Sequence, residues 1–294
     1  MATRPRLLCI GDLNADIAIT GEVTPGSDTA GTVELAAGGS AANVAAGVAR
    51  TDVSTRFVGV VGDDLLGTFL IDELGGHGVE VQSIRRAGVS SRAIAALVGV
   101  MGDRSMVSDL STATVLTAAD VDAEWFDGVG WLHLTAYSWF PEGGPEAFAS
   151  LIKLAEERSI PWSVDPSSAQ MLATGRSVGA ALKAFTGSAV IFPSEDEAEV
   201  LTGLSDPVAA AQRLLDIADT AVVTRGPDGA VLARRDQTTL SAPAHEAIVV
   251  NALGCGDAFA AGFIASRLLA RDDEASMDAG LAAAARVVEI STAR

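Results

Sequence analysis

Short runs of consecutive apolar residues alternate along this chain with longer alanine-rich stretches whose apolar positions recur at helical spacing. The runs predict strands at residues 7–10, 55–60, 131–135, 162–164, 189–192 and 220–224. Between them, helices are predicted over 40–50, 65–75, 145–158, 195–201 and 207–218. Near-continuous apolar strands in repeated β-α-β order call for a mostly parallel sheet covered by helices on both faces. This is an α/β fold, and ligands of such folds gather at the carboxyl ends of the strands.

Two segments, at about 16–37 and 90–110, break the rhythm. Both alternate apolar and polar residues, carry Gly and Asp where turns belong, and have no crossover helix after them. They predict a small separate β-sheet that covers the strand ends as a lid on one domain spanning 1–294. The hairpins carry Ile17, Ile19, Val33, Leu35, Ile94, Leu97 and Val98, enough apolar residues to pair with a second lid in a homodimer.

Charge narrows the partners. The 294 residues sum to −18, which repels nucleic acid and anionic membrane surfaces, so any phosphate site has to be local and made by backbone. Two cysteines, Cys9 and Cys255, cannot form a disulfide framework, and with no apolar run long enough to span a bilayer the expected setting is cytoplasmic. Three scattered histidines, His77, His133 and His245, have no metal-ligand spacing. The first strand runs into Gly-Asp-Leu-Asn-Ala-Asp and not Gly-x-Gly-x-x-Gly, which argues against a nicotinamide enzyme.

The most informative stretch is 249–263, Val-Val-Asn-Ala-Leu-Gly-Cys-Gly-Asp-Ala-Phe-Ala-Ala-Gly-Phe. A Gly-x-Gly turn at a helix start aims backbone N–H groups at one point, where the helix dipole adds to their pull on an anion. A carboxylate at that place opposes anion binding alone. It makes sense as a base that takes the proton of a hydroxyl attacking a phosphoryl group.

The chain resembles the ribokinase-like carbohydrate kinases of the PfkB family. The likeness rests on Gly38-Gly39-Ser40-Ala41-Ala42-Asn43-Val44-Ala45 with 57–67, Phe-Val-Gly-Val-Val-Gly-Asp-Asp-Leu-Leu-Gly, and on the late 249–263 segment. It implies a three-layer α/β/α sandwich with a small β-sheet lid, using ATP and Mg²⁺ to phosphorylate a primary hydroxyl of a sugar or sugar-like molecule. A nucleoside kinase of the same fold and a non-catalytic sugar or nucleotide sensor are the alternatives.

Position by position, the resemblance makes Asp257 the catalytic base and the amides of Gly254, Cys255 and Gly256 the anion hole. Asn14, Asp16, Gly38, Gly39 and Asn43 would hold the acceptor, with Asp16 on vicinal ring hydroxyls. Ser194, Thr224, Arg225, Gly226 and Gly229 would hold the nucleotide, and Glu197 would organise Mg²⁺ through water.

Some positions depart from the family. Ser194 replaces the usual Asn, and Asn251-Ala252 replaces an Asp-Thr pair whose Asp helps hold a monovalent cation, so the charge for potassium activation is missing. Ser40 stands where some pentose kinases carry Lys. Tyr137 and Trp139 could stack on a nucleobase or sugar face or simply pack. Only Arg92 and Arg104 are candidates for reading a phosphosugar, which ranks neutral sugars and nucleosides ahead.

Overall fold

The computed structural model describes residues 5–21, 26, 28, 30–98, 104–108, 115–174, 176–250 and 252–289. Its strands are β1 (Arg6–Ile10), β2 (Asn14–Thr20), β3 (Thr32–Gly38), β4 (Ser54–Gly62), β5 (Glu80–Arg86), β6 (Ala93–Val98), β7 (Arg104–Ser108), β8 (Trp131–Thr135), β9 (Trp162–Asp165), β10 (Ser188–Ile191), β11 (Ala218–Thr224), β12 (Ala230–Arg234) and β13 (Leu240–Ala242). The helices are α1 (Ser40–Ala49), α2 (Leu65–Gly76), α3 (Gly144–Glu157), α4 (Ala169–Thr174), α5 (Val178–Phe185), α6 (Glu195–Thr202), α7 (Pro207–Leu214), α8 (Cys255–Leu268) and α9 (Asp273–Val288).

The large sheet runs β13-β12-β11-β10-β9-β8-β1-β4-β5. From β11 to β5 its neighbours are parallel, and β12 and β13 add an antiparallel edge. Alternate residues of each strand face opposite sides, which splits the core in two. Leu8, Ile10, Val58, Leu132 and Leu134 meet Phe148 of α3, Leu172 of α4, Phe185 of α5 and Leu214 of α7. Leu7, Cys9, Phe57 and Trp131 meet Val44 of α1, Leu70 of α2, Phe263 of α8 and Leu281 of α9. Helix, sheet and helix thus form the three expected layers.

The two irregular segments pair as a second sheet of order β3-β2-β6-β7, with β2 and β6 parallel between two antiparallel neighbours. Parts of both segments, and the side chain of Arg104, lie outside the described residues. The helix predicted over 207–218 ends at Leu214, because its last turn tightens into three-residue bonds such as Ile217 N–H to Leu214 O (3.0 Å) before β11 begins.

Chain order fixes where a ligand belongs. From β1 the chain moves to β4 on one side of the sheet and later returns to β8 on the other, so the winding direction reverses at the β1/β8 boundary. Carboxyl ends of strands at such a reversal leave an open crevice.

His133, on β8, is buried against Ser163 (Nδ1 to Oγ, 2.9 Å), and burial pushes its pKa down to about 3. The folded protein therefore keeps this imidazole neutral, while the unfolded chain protonates it below about pH 6.5. Its contribution is lost as pH falls. The stability of wild type relative to His133→Phe is expected to drop by about 1.4 kcal/mol per pH unit between about pH 6 and pH 4. Urea midpoints of the two proteins measure this, and a pH-independent difference would contradict a neutral His133.

Candidate active site

The crevice at the end of β1 is organised by Asp12. Its carboxylate accepts the N–H of Ser40 (2.7 Å) and of Ala41 (3.3 Å) at the start of α1, and the hydroxyl of Thr135 (2.9 Å) at the end of β8. One side chain thus fixes two strand ends and a helix start, satisfying amides that a helix cannot pair internally. The preceding turn needs glycine twice. Gly39 takes φ 107 with its α-carbon against the Asp12 carbonyl, and a Cβ on Gly38 would strike the Asp16 carboxylate. Asp16 accepts from Asn14 Nδ2 (2.7 Å).

On the opposite wall α8 begins at Gly254, which is left-handed at φ 78. Asp257, in the first turn, is gripped from α1: Ser40 Oγ donates to Oδ1 (2.6 Å) and Asn43 Nδ2 to Oδ2 (2.8 Å). Burial pushes its pKa up to about 7 against the lowering effect of those two hydrogen bonds, and the charges of Asp12 and Glu197 push the same way. A carboxylate poised near neutrality within reach of the crevice can take or give a proton.

Ser40, Asn43 and Gly47 share one face of α1, and Asp257 and Ala261 share one face of α8. A Cβ on Gly47 would lie 2.7 Å from the Ala261 methyl, so the helices touch closely enough for the short Ser40 and Asn43 side chains to span the gap.

The nucleotide end is built at β9, β10 and β11. Ser194 and Glu197 form a reciprocal cap at the start of α6, with Ser194 N–H donating to Glu197 Oε2 (2.8 Å). Thr224 bridges to Ser194. Asp165, ending β9, accepts from Ser167 N–H (2.7 Å), and Ser167 sits at φ 73, an uncommon conformation for serine. Burial raises the pKa of Asp165 and of Glu197, and each gains further from nearby carboxylates.

One cavity of about 670 Å³ joins the two ends. Of the predicted residues, Asn14, Asp16, Gly39, Asn43, Ser194, Glu197, Thr224, Gly254, Gly256 and Asp257 line it. Gly38, Cys255, Arg225, Gly226 and Gly229 do not. Gly38 makes room for Asp16, and the Cys255 N–H makes a long bond to Ala252 O (3.4 Å). Arg225 pairs with Glu195 (3.1 Å), and Gly229 turns at φ 89 where Ala242 leaves no space for a side chain. Asn251 lies outside the described residues.

The structure adds Asp12, Ser40, Tyr137 and Asp165 to the wall. Asp12 and Asp165 each follow or end a predicted strand, the one signal that could have marked them. Tyr137 faces the cavity, whereas Trp139 is buried with Phe140 and Phe185 and lies under the Arg176 guanidinium.

A model of the pfkB family carbohydrate kinases matches residues 4–294. The chain belongs to that family. It is 28% identical over 277 residues to an ATP-dependent ribose-1-phosphate kinase of Halopiger xanaduensis, across 93% of this chain and 88% of that protein. It is also 28% identical over 268 residues to an adenosine kinase of Saccharomyces cerevisiae, across 84% and 76% of the two. A structure described as a probable sugar kinase from Rhizobium etli superposes at a TM-score of 0.89 with 25% identity, covering 99% of this chain and 95% of that one.

For a pfkB kinase the α1–α8 contact is where packing meets chemistry. Gly47→Val should push the helices apart, costing about 1–3 kcal/mol and lowering turnover as Ser40 and Asn43 withdraw from Asp257. Gly75→Ala, on α2 with nothing within 4 Å of the new methyl, should leave turnover unchanged. Thermal unfolding and steady-state rates measure both, and unaltered turnover in folded Gly47→Val would contradict the link.

Proposed function

We propose that this protein transfers the γ-phosphoryl group of ATP to a primary hydroxyl of a small polyhydroxylated acceptor, a sugar or the sugar of a nucleoside. The observation that carries this reading is the Asp257 carboxylate, clamped by Ser40 and Asn43 in the first turn of α8 with its pKa raised to about 7. A binding-only sensor has no use for a base poised at the start of an anion-attracting helix. The relative from Halopiger, named an ATP-dependent kinase, supports ATP as the donor.

In the proposed reaction the acceptor oxygen forms a bond to the γ-phosphorus as the bond from that phosphorus to the β,γ-bridging oxygen breaks. The hydroxyl proton passes to Asp257, and ADP leaves with the bond's electrons. Asn14 and Asp16 would orient the acceptor, and the glycine-flanked start of α8 would face the charge that develops on the phosphoryl oxygens. Thr224 and Ser194 would meet the nucleotide phosphates.

Asp165 and Glu197 fit a hydrated Mg²⁺. Both carboxylates face the cavity, and the charges that act on them are acidic. Mg²⁺ keeps most of its water and accepts indirect carboxylate contacts. When bound, it would neutralise charge on the phosphates.

The small sheet supplies Asn14, Asp16, Ile94 and Ser108 to the cavity wall, which supports reading it as a lid over the acceptor. Val33, Leu35 and Val107 stay exposed on that sheet and support pairing with a second copy. Free thiols at Cys9 and Cys255 support a reducing, cytoplasmic setting. Among the described residues no helix is long and apolar enough to cross a membrane.

Asp257→Asn keeps the shape of the carboxylate and removes the base. Turnover should fall by about 10²- to 10⁴-fold while ATP still binds. ADP release and nucleotide calorimetry test this, and near-wild-type turnover in the variant would place the base elsewhere.

A further inference from the structure

The walls of the large cavity hold five carboxylates, Asp12, Asp16, Asp165, Glu197 and Asp257, and among the described residues one basic side chain, Arg92. The large cavity adjoins a pocket of about 20 Å³, room for roughly one water, and Asp12, Arg92 and Tyr137 line both. These three residues therefore form the shared wall, on the small-sheet side of the site.

Arg92 is held there by an unusual amount of backbone. The preceding residue, Ser91, is buried, and its hydroxyl and N–H both donate to Asp64 (2.7 and 2.8 Å). The Gly62 N–H donates to the Ser91 hydroxyl (3.0 Å), and Asp64 also accepts from Gly67 N–H (2.6 Å) at the start of α2. Backbone of 89–91 packs where a Gly62 side chain would stand, and the Gly62 carbonyl where a Gly67 side chain would. On the other side, the Arg92 carbonyl accepts the Ala15 N–H (2.9 Å), tying it to the strand that carries Asn14 and Asp16. The 57–67 signature thus reads as the anchor that presents Arg92 beside the acceptor residues.

A fixed guanidinium at that place has a definite chemical use. Positive charge at the nucleotide end would come with ATP's own metal, whereas at the acceptor end it comes from Arg92. Asp12 is already served by Ser40, Ala41 and Thr135. Five N–H donors exceed what one carboxylate accepts, so the fork keeps donors for a ligand. Tyr137 adds a hydroxyl whose pKa is raised by burial and by surrounding acids, and it stays protonated and able to donate.

Resting on the kinase reading above, we propose that the acceptor carries an anionic group, a phosphate or a carboxylate, remote from the hydroxyl that is phosphorylated, and that Arg92 with Tyr137 binds it. This reverses the ranking of neutral acceptors first that the sequence suggests.

The test uses matched acceptors, each with a free primary hydroxyl: ribose and ribose 1-phosphate, fructose and fructose 6-phosphate, glucose and gluconate. ADP release is measured on the wild-type chain, and binding of the same compounds is measured by calorimetry on Asp257→Asn. The anionic member of at least one pair should be preferred by about 10- to 100-fold in kcat/KM. The pair that shows it separates a phosphate from a carboxylate. Arg92→Gln should erase the preference through the acceptor KM with the KM for ATP unchanged, and Arg92→Lys should restore part of it. Neutral members used or bound as well as their partners overturn the proposal and leave the kinase reading intact, and so does Arg92→Gln acting equally on both members. Preferential binding of an anionic member without ADP release from wild type would support the proposal and overturn the kinase reading instead.

Discussion

Everything proposed for this protein depends on the close contact between α1 and α8, which brings a serine and an asparagine of one helix onto an aspartate of the other. Two helices packed through glycine and alanine can approach until short side chains bridge them. Gly47 against Ala261 sets that distance, and Gly262, whose side-chain position is filled by the Ala279 carbonyl, extends the same tight packing from α8 to α9. Larger residues would fill the core equally well, but would leave Ser40 and Asn43 short of Asp257. The small residues that read as an alanine-rich helix pattern are the mechanical basis of the site.

Electrostatics follow from this packing. Asp257 sits at the positive end of a helix and has two donors on its oxygens, which should make it a strong acid. Burial and neighbouring carboxylates win instead, and its pKa rises to about 7. A cavity with so many acids is incomplete without cations. Mg²⁺ with the nucleotide at the Asp165 and Glu197 end, and Arg92 at the acceptor end, would balance it. The net charge of −18 makes that local placement necessary.

Much of this was legible in the residues. The strands with uninterrupted apolar runs, the two hairpin segments and the glycine-flanked aspartate each carry a local physical signal, and each forms the element it predicts. The half-exposed edge strand Glu80–Arg86 was not predicted, because its polar residues carry no apolar run. Asp12 and Asp165 were hidden for a different reason. A carboxylate after a strand looks like any turn residue, and its importance comes from elements far apart in sequence, as when Thr135 and Ser40 converge on Asp12. Ser40 read as a helix cap and proved to be a donor to Asp257, 217 positions away. Such pairings are set by topology, which a sequence pattern does not encode.

The central claim is that Asp257 is the proton acceptor and that its surroundings hold it near neutrality. A raised carboxylate pKa leaves the base protonated, and idle, below that value. The most direct measurement is kcat/KM for the acceptor at saturating ATP and Mg²⁺ across about pH 5 to about pH 9. The account predicts an acid limb that falls one decade per pH unit below a midpoint near 7 in the wild-type protein and is lost from the residual rate of Asp257→Asn. A flat profile through that range, or the same limb in both proteins, would contradict it.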